Sequence, residues 1–382
     1  MNVWPPLPIE IFLNRSDVLP VDNIISIFEH RDRIRKIQCL YPASSQLKRL
    51  FPMILEPFPA LTSFVVKTHE TTPALPDMLL GGSAPRLQRL QLEGIPFPGL
   101  PRLLLSATDL SYLSLFRIPH AGYISPEAMV TCLSVLTRLR SLTIKFTFHA
   151  FRPDRRGLPP LTRVILPALE RLWFEGVSEY LEDLVARIDT PRLCSLRIYF
   201  FNWGILDIQQ LSYFIDHTGI LGSSNHAVLT FFINNYGINL SLPTELSLEV
   251  ACRGVDWQVP VMAQICNQLS LVLSIVEQLD IQVDPGREPT WQIDMEEAQW
   301  LELFRPFTAV RTLRISRRMQ LFIVPALQEL TGERATEVLP ALDSLYLAGY
   351  QPSGSDQQAI KPFIAARQNS DHPVAVRLWE GR

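Results

Sequence analysis

The chain has 382 residues, 47% of them hydrophobic and 19% charged, which is enough apolar side chain to bury a long core and excludes a disordered chain. With 35 basic and 38 acidic residues the formal charge is −3, so no global field draws in a polyanion, and neither nucleic acid nor a membrane is an expected partner. Five cysteines (Cys39, Cys132, Cys194, Cys252, Cys266) with no C-x-x-C pair point to reduced, packed thiols in an intracellular compartment, cytoplasmic or nuclear.

In chain order, the opening MNVWPPLPIE lacks the basic start and apolar stretch of a signal peptide, and residues 1–33 are expected to form an N-terminal cap. From Ile34 onward an L-x-x-L-x-L spacing recurs. Its copies are Ile34, Ile37, Cys39; Leu61, Phe64, Val66; Leu87, Leu90, Leu92; Leu110, Leu113, Leu115; Leu139, Leu142, Ile144; Leu169, Leu172, Phe174; and Leu193, Leu196, Ile198. After a less regular stretch at 207–250 come Val276, Leu279, Ile281; Val310, Leu313, Ile315; and Leu342, Leu345, Leu347. The first seven copies start at intervals of 23 to 30 residues. A proline stands two residues before the first apolar position at Pro59, Pro85, Pro167, Pro191 and Pro340, where a fixed φ and a missing N–H stop a helix and suit the first position of a strand.

Helix starts alternate with these triplets. Ser125-Pro126-Glu127 reads as an N-cap with proline at the first helical position, and Asp207 with Gln210, then Asp294 with Glu297, have capping-box spacing. In VSEYLEDLVARI the apolar Leu181, Leu184, Val185 and Ile188 form one stripe of a helix. Within 207–250, the candidate strands are Leu229–Ile233 and Leu246–Val250. The apolar run LSLVLSIV, ending at Val276, falls short of the roughly 18 residues of a membrane span. A helix around Gln357–Arg367 and the segment Val374–Trp379 fall in an expected C-terminal cap at 348–382.

Strand, short helix and strand at this period predict an α/β fold, a leucine-rich-repeat solenoid. The expected form is a single unit over 1–382 with repeats at 34–347, a curved horseshoe with a parallel sheet on its concave face and helices and loops on its convex face. Alternation along a strand turns the apolar triplet to the core and the interleaved residues to the concave surface. Of those, Tyr112, Phe116, Lys145, Arg171, Trp173, Arg197, Tyr199, Arg314 and Tyr346 are the candidate partner-binding residues, because aromatic and Arg side chains dominate protein interfaces. Ordinary strand propensity is the competing explanation for the aromatics.

No G-x-S-x-G, P-loop, H-E-x-x-H or G-x-G-x-x-G motif occurs. The seven histidines are scattered, and the pairs Glu182/Asp183 and Glu296/Glu297 read as polar helix faces. The expectation is a non-enzyme with no cofactor, no metal and no catalytic residue. The basic runs Arg152–Arg156 and Arg314–Arg318 read as solvated loop and strand-end charge.

The blocks EPFPALTSF, LLGGSAPRLQRLQLEGIPFPGLPRLLLSATDL, IPHAGYISPEAMVTCLSVLTRLRSLTI, RPDRRG and LPALERLWFEGVSEYLEDLVARIDTPRL resemble F-box-like leucine-rich-repeat proteins of mushroom-forming fungi, over nearly the whole chain. The resemblance implies a substrate-recognition arm of a cullin-type ubiquitin ligase (SCF), an F-box holding a Skp-type adaptor and the repeats holding the target. Leu7, Pro8, Glu10, Ile11 and Phe12 echo the opening of an F-box, but a strand expected near Ile34 leaves no space for the rest of its helical bundle, so adaptor binding is not expected here. The expected chain is a monomer that binds a protein partner. The alternatives are a leucine-rich-repeat scaffold or regulator with no ubiquitin role, and a repeat-built enzyme or GTPase activator with a polar cluster on one rim.

Overall fold

The computed structural model describes residues 7–14, 26–69, 73–147, 162–201, 206–221, 225–232, 236–242, 246–284, 296–349 and 355–379. Its chain forms two compact units, Met1–Cys194 and Ser195–Arg382.

In the first unit the strands are β1 (Ile9–Asn14), β2 (Ile34–Leu40), β3 (Ser63–Lys67), β4 (Arg89–Glu93), β5 (Tyr112–Ile118), β6 (Ser141–Phe146), the two-residue β7 (Val164–Ile165), β8 (Arg171–Gly176) and the two-residue β9 (Ile188–Asp189). All pair in parallel, β1-β2-β3-β4-β5-β6-β8 in one sheet and β7 with β9 in another. Equivalent triplet positions stack on one another: Ile37, Phe64, Leu90, Leu113, Leu142 and Leu172 form one ladder and Cys39, Val66, Leu92, Leu115, Ile144 and Phe174 the next. No residue of the ten triplets is more than 4% exposed. Each buried Leu or Ile contributes about 1.5–3 kcal/mol of transfer free energy, so the register follows the apolar pattern.

The prolines act one step earlier than a strand's first residue. Leu61 N–H donates to Phe58 O, Leu87 to Ala84, Leu169 to Leu166 and Leu193 to Thr190, so Pro59, Pro85, Pro167 and Pro191 each occupy the second position of a turn, where φ near −65° is preset. The first apolar residue of the triplet closes that turn, and the strand starts two residues later. There one carbonyl serves two amides of the next repeat. Thr62 O accepts from Gln88 and Arg89, Gln88 O from Ser111 and Tyr112, Ser111 O from Arg140 and Ser141, and Arg140 O from Glu170 and Arg171. At the other end of β4, Gly94 has φ +69°, and a Cβ there would stand 2.5 Å from Thr68 O, so only glycine fits.

Helices Ser44–Leu50, Leu100–Ser106, Pro126–Leu133 and Ser178–Val185 fill the connections of this unit. Ser125 Oγ accepts from Ala128 N–H at 3.2 Å, the expected N-cap. Leu181, Leu184 and Val185 are buried as the stripe predicts, whereas Ile188, expected in the same helix, lies beyond its end in β9; Tyr180 is buried with them, its hydroxyl donating to Ile124 O and its ring stacked 5.8 Å from Phe174.

The second unit contains β10 (Ser195–Phe200), β11 (His226–Phe231), β12 (Gly237–Leu242), β13 (Leu246–Ala251), β14 (Gln278–Val283), β15 (Thr312–Ile315), β16 (Ser344–Ala348) and β17 (Ala375–Trp379), in the spatial order β10-β13-β12-β11-β14-β15-β16-β17. Here the expectation of parallel strands throughout is corrected, because β12 runs antiparallel to both β11 and β13. The connections at 232–236 and 243–245 are too short for a parallel crossover, which needs about a dozen residues, so the chain can only turn back. The expected strands at 229–233 and 246–250 are β11, starting three residues earlier, and β13; β12 escaped the pattern.

Leu342 N–H donates to Leu339 O, giving Pro340 the same turn position as the other prolines. Helix Gln209–His217 has Ile208 at its N-cap position, one residue after Asp207. Asp294 and the run Arg152–Arg156 lie outside the described residues. Of the thiols expected to be packed, Cys194 is exposed instead, because it precedes β10 between two core positions, Leu193 and Leu196. The final helix, Ser355–Asn369, packs on the last repeat through Arg367. Its buried guanidinium donates to the carbonyls of Ala335, Leu339, Pro340 and Leu342 at 2.7–3.4 Å. Each unit is thus a leucine-rich-repeat α/β array, the first regular and the second interrupted by a meander.

Candidate functional site

Opposite each core face, the sheets present the residues that interleave the triplets. In the first unit they form three rows across the strands. The first runs Lys36, Ser63, Arg89, Tyr112, Ser141, Arg171, and the second Gln38, Val65, Gln91, Ser114, Thr143, Trp173. The third pairs Leu40, Lys67, Glu93 and Phe116 in turn, and Lys145 with Glu175. Five predicted residues, Tyr112, Phe116, Lys145, Arg171 and Trp173, meet on β5, β6 and β8.

Lys145 was expected among the surface residues and is instead 5% exposed. Its Nζ lies 3.1 Å from Glu175 Oε2, 3.2 Å from the centroid of Trp173 and 4.8 Å from that of Phe116. Ser141 and Thr143 on the same strand are buried as well, so the open-face positions of β6 form a floor between β5 and β8. Desolvation pulls the Lys145 ammonium below its usual range, while the charge of Glu175 and its hydrogen bond pull it back up. The Trp173 ring is 41% exposed and rests on a cation that is itself fixed, a geometry worth about 0.5–2 kcal/mol. Arg89 stacks on Tyr112, its guanidinium carbon 4.0 Å from the ring centroid.

Arg197, Tyr199, Arg314 and Tyr346 lie on the second unit's sheet in two groups. Arg197 and Tyr199 sit on β10, whereas Arg314 and Tyr346 sit on β15 and β16, with β13, β12, β11 and β14 between. Five strand steps of about 4.8 Å put them about 24 Å apart, so the meander splits what the repeat pattern grouped. Around Arg314 the structure adds two residues that sequence reasoning missed. Asp280 on β14 has His226 Nε2 at 3.2 Å and Arg314 Nη1 at 3.7 Å, and it accepts from Gln278 Nε2 at 3.1 Å. Arg314 and Arg377 flank the Tyr346 ring at 5.5 and 5.9 Å, and Arg377 Nη1 donates to the Tyr346 hydroxyl. Asp280 lies between Leu279 and Ile281, so applying the interleaving rule to that triplet would have found it. His226 had no such signal, because β11 carries no triplet.

The cluster thus sets one carboxylate, Asp280, between an imidazole and a guanidinium. Among the described residues no group of three or more His, Cys, Asp or Glu side chains could hold a metal ion. No described helix is long and apolar enough to cross a membrane.

No protein-family model matches the chain, and no curated protein does. Among solved structures, the leucine-rich repeat-containing protein LegL7 from Legionella pneumophila is similar over 92% of this chain and 90% of that one, at 12% identity. The TM-score is 0.29, too low for the superposition to assign a role to any residue.

Proposed function

We propose that the chain is a protein-interaction module, not an enzyme, whose partner engages the first unit's open sheet face at Tyr112, Phe116, Arg171 and Trp173. The observation that carries this reading is the Trp173 ring, exposed for contact yet held in place by Lys145, which Glu175 fixes in turn. A rigid aromatic beside an Arg loses little entropy on binding, and such residues supply most of the free energy of interfaces. Arg197, Tyr199, Arg314 and Tyr346 offer a second contact set of the same chemistry. The proposed setting is intracellular, cytoplasmic or nuclear, with the chain acting as a monomer.

Two roles fit such a module. The resemblance to F-box-like proteins favours target recognition in a cullin-type ligase. Residues 9–14 form a strand paired with β2, not the opening helix of an F-box, and the second reading is a scaffold or regulator with no ubiquitin role.

Affinity capture followed by mass spectrometry tests both levels. Trp173→Ala, with circular dichroism unchanged, is expected to lose the wild-type partner by about 2 kcal/mol, more than a tenfold change. Undiminished capture by that variant overturns the face as the binding surface. A Skp-type adaptor or cullin among the captured proteins selects the ligase role.

A further inference from the structure

Among the described residues, the charges in the rows of the first unit's open face pair off, except for two. Glu10 pairs with Lys36 at 2.7 Å, Glu93 with Lys67 at 3.8 Å and Glu175 with Lys145 at 3.1 Å. Each pair joins neighbouring strands, and each neutralises its own stretch of the face. Arg89 and Arg171 remain. Both are exposed, and among the described residues neither has a carboxylate within 4 Å. Arg89 meets only the Tyr112 ring and, at 3.4 Å, Gln91 Oε1.

These two guanidiniums stand in one row, Arg89, Tyr112, Ser141, Arg171, on β4, β5, β6 and β8. Three strand steps of about 4.8 Å separate their Cα atoms by about 14 Å. The row between them dips, since Tyr112 is half-buried and Ser141 is 8% exposed. Next to that dip stand the Trp173 ring and the Ser114 and Thr143 floor of the adjacent row. An extended peptide crossing the strands advances about 3.3 Å per residue, so 14 Å is four residues.

We infer that, if this face is the binding surface proposed above, its partner is an acidic peptide segment with carboxylates at positions i and i+4 and an apolar side chain between them. Arg89 and Arg171 each take one carboxylate, bidentate where the geometry allows, and the middle residue enters the dip beside Trp173. Two isolated cations at one spacing fit discrete carboxylates better than the continuous phosphates of a nucleic acid, which call for a track of positive charge.

The test uses the full chain and fluorescein-labelled dodecapeptides in an anisotropy titration. One peptide carries Glu at i and i+4 with Leu at i+2, a second has both Glu replaced by Lys, and a third has the Glu pair moved to i and i+2. The first is expected to bind at least tenfold tighter than the other two, to weaken as salt rises, and to lose at least tenfold in Arg89→Glu and in Arg171→Glu. Binding of the Lys peptide to the doubly substituted Arg89→Glu/Arg171→Glu chain would secure the charge rule. No binding of the Glu peptide at millimolar concentration, indifference to both Arg substitutions, or tighter binding of an oligothymidylate of equal length overturns it. The Trp173→Ala chain separates the two levels. If it alone loses the peptide while the Arg variants keep it, the charge rule fails and the face survives as a binding surface. If the Arg variants lose the peptide and Trp173→Ala keeps it, the charge rule stands and the aromatic anchor does not.

Discussion

The two units share one backbone device for joining repeats, and the second adds to it a set of helix side chains bonded to carbonyls. In the first, a turn closed by the first apolar residue is followed by a carbonyl that accepts two amides from the next repeat, as Thr62, Gln88, Ser111 and Arg140 do in succession. In the second, the device returns at Asn225, Glu277 and Arg311, which lead into β14, β15 and β16, but the antiparallel β12 interrupts the succession, and long side chains from the helices add hydrogen bonds of their own. Gln258 Nε2 gives both its hydrogens to Phe232 O and Gly237 O at the β11–β12 turn. Gln264 and Gln268 share Leu206 O, and Gln320 spans Ile315 O and Ala348 O. Gln328 reaches Ala359 O, and Arg367 holds four carbonyls. A carbonyl has two lone pairs, so helix side chains complete the pairing of buried carbonyls in this unit, including Gly237 O and Leu339 O, which also take a backbone amide.

The largest expected loss comes from removing the strongest of these side chains. Arg367→Leu removes the side-chain donor from the carbonyls of Ala335, Pro340 and Leu342, while Leu339 O keeps Leu342 N–H, and is expected to cost about 3–5 kcal/mol in urea unfolding followed by tryptophan fluorescence. A loss under 1 kcal/mol would mean that water or the backbone replaces it readily, and the contrast between the units would lose its main support. Gln258→Leu is the milder version. It keeps the volume, removes the side-chain donor from Phe232 O and from Gly237 O, the latter keeping Phe232 N–H, and should cost about 2 kcal/mol. The matching control in the first unit is Gln91→Leu, on the open face, where a change within about 0.5 kcal/mol is expected. Equal losses at the two positions would erase the distinction.

The same contrast explains how much was legible beforehand. All ten triplets were readable because a period of two within strands and about 25 residues between them is a property of side-chain identity alone. The meander was not, because its reversal depends on short connections, and β12, GINLSL, alternates like any half-buried strand without the triplet that marks a repeat. At the candidate site, the interleaved positions were readable for the same reason as the triplets. The burial of Lys145 was not, since it arises from Phe116 and Trp173 on either side and from no property of Lys145 itself. The 24 Å gap between Arg197 and Arg314 was equally hidden, because strand order is absent from spacing along the chain.

The smallest effects belong to the thiols, which probe both units at once. Cys39 and Cys132 are buried in the first, Cys252 and Cys266 in the second, and Cys194 is exposed. Burial pushes Cys39 up to about 12 and Cys132 up to about 11, and it raises Cys252 and Cys266 as well. In the native chain at pH 8, an aromatic disulfide reagent should therefore titrate one fast thiol, and Cys194→Ala should remove that phase. The sign of the pH effect follows from the same shift. Between the ordinary thiol value near 9 and the raised native value, the unfolded chain gives up a proton that the folded chain keeps, so stability falls as pH rises, by about 0.4 kcal/mol per buried thiol at pH 9. Cys39→Ala should flatten that slope whatever its packing cost at pH 7. An unchanged slope would show that Cys39 already meets solvent, and with it that the ladder of β2 on β3 is looser than the in-register stack of Cys39 on Val66 requires.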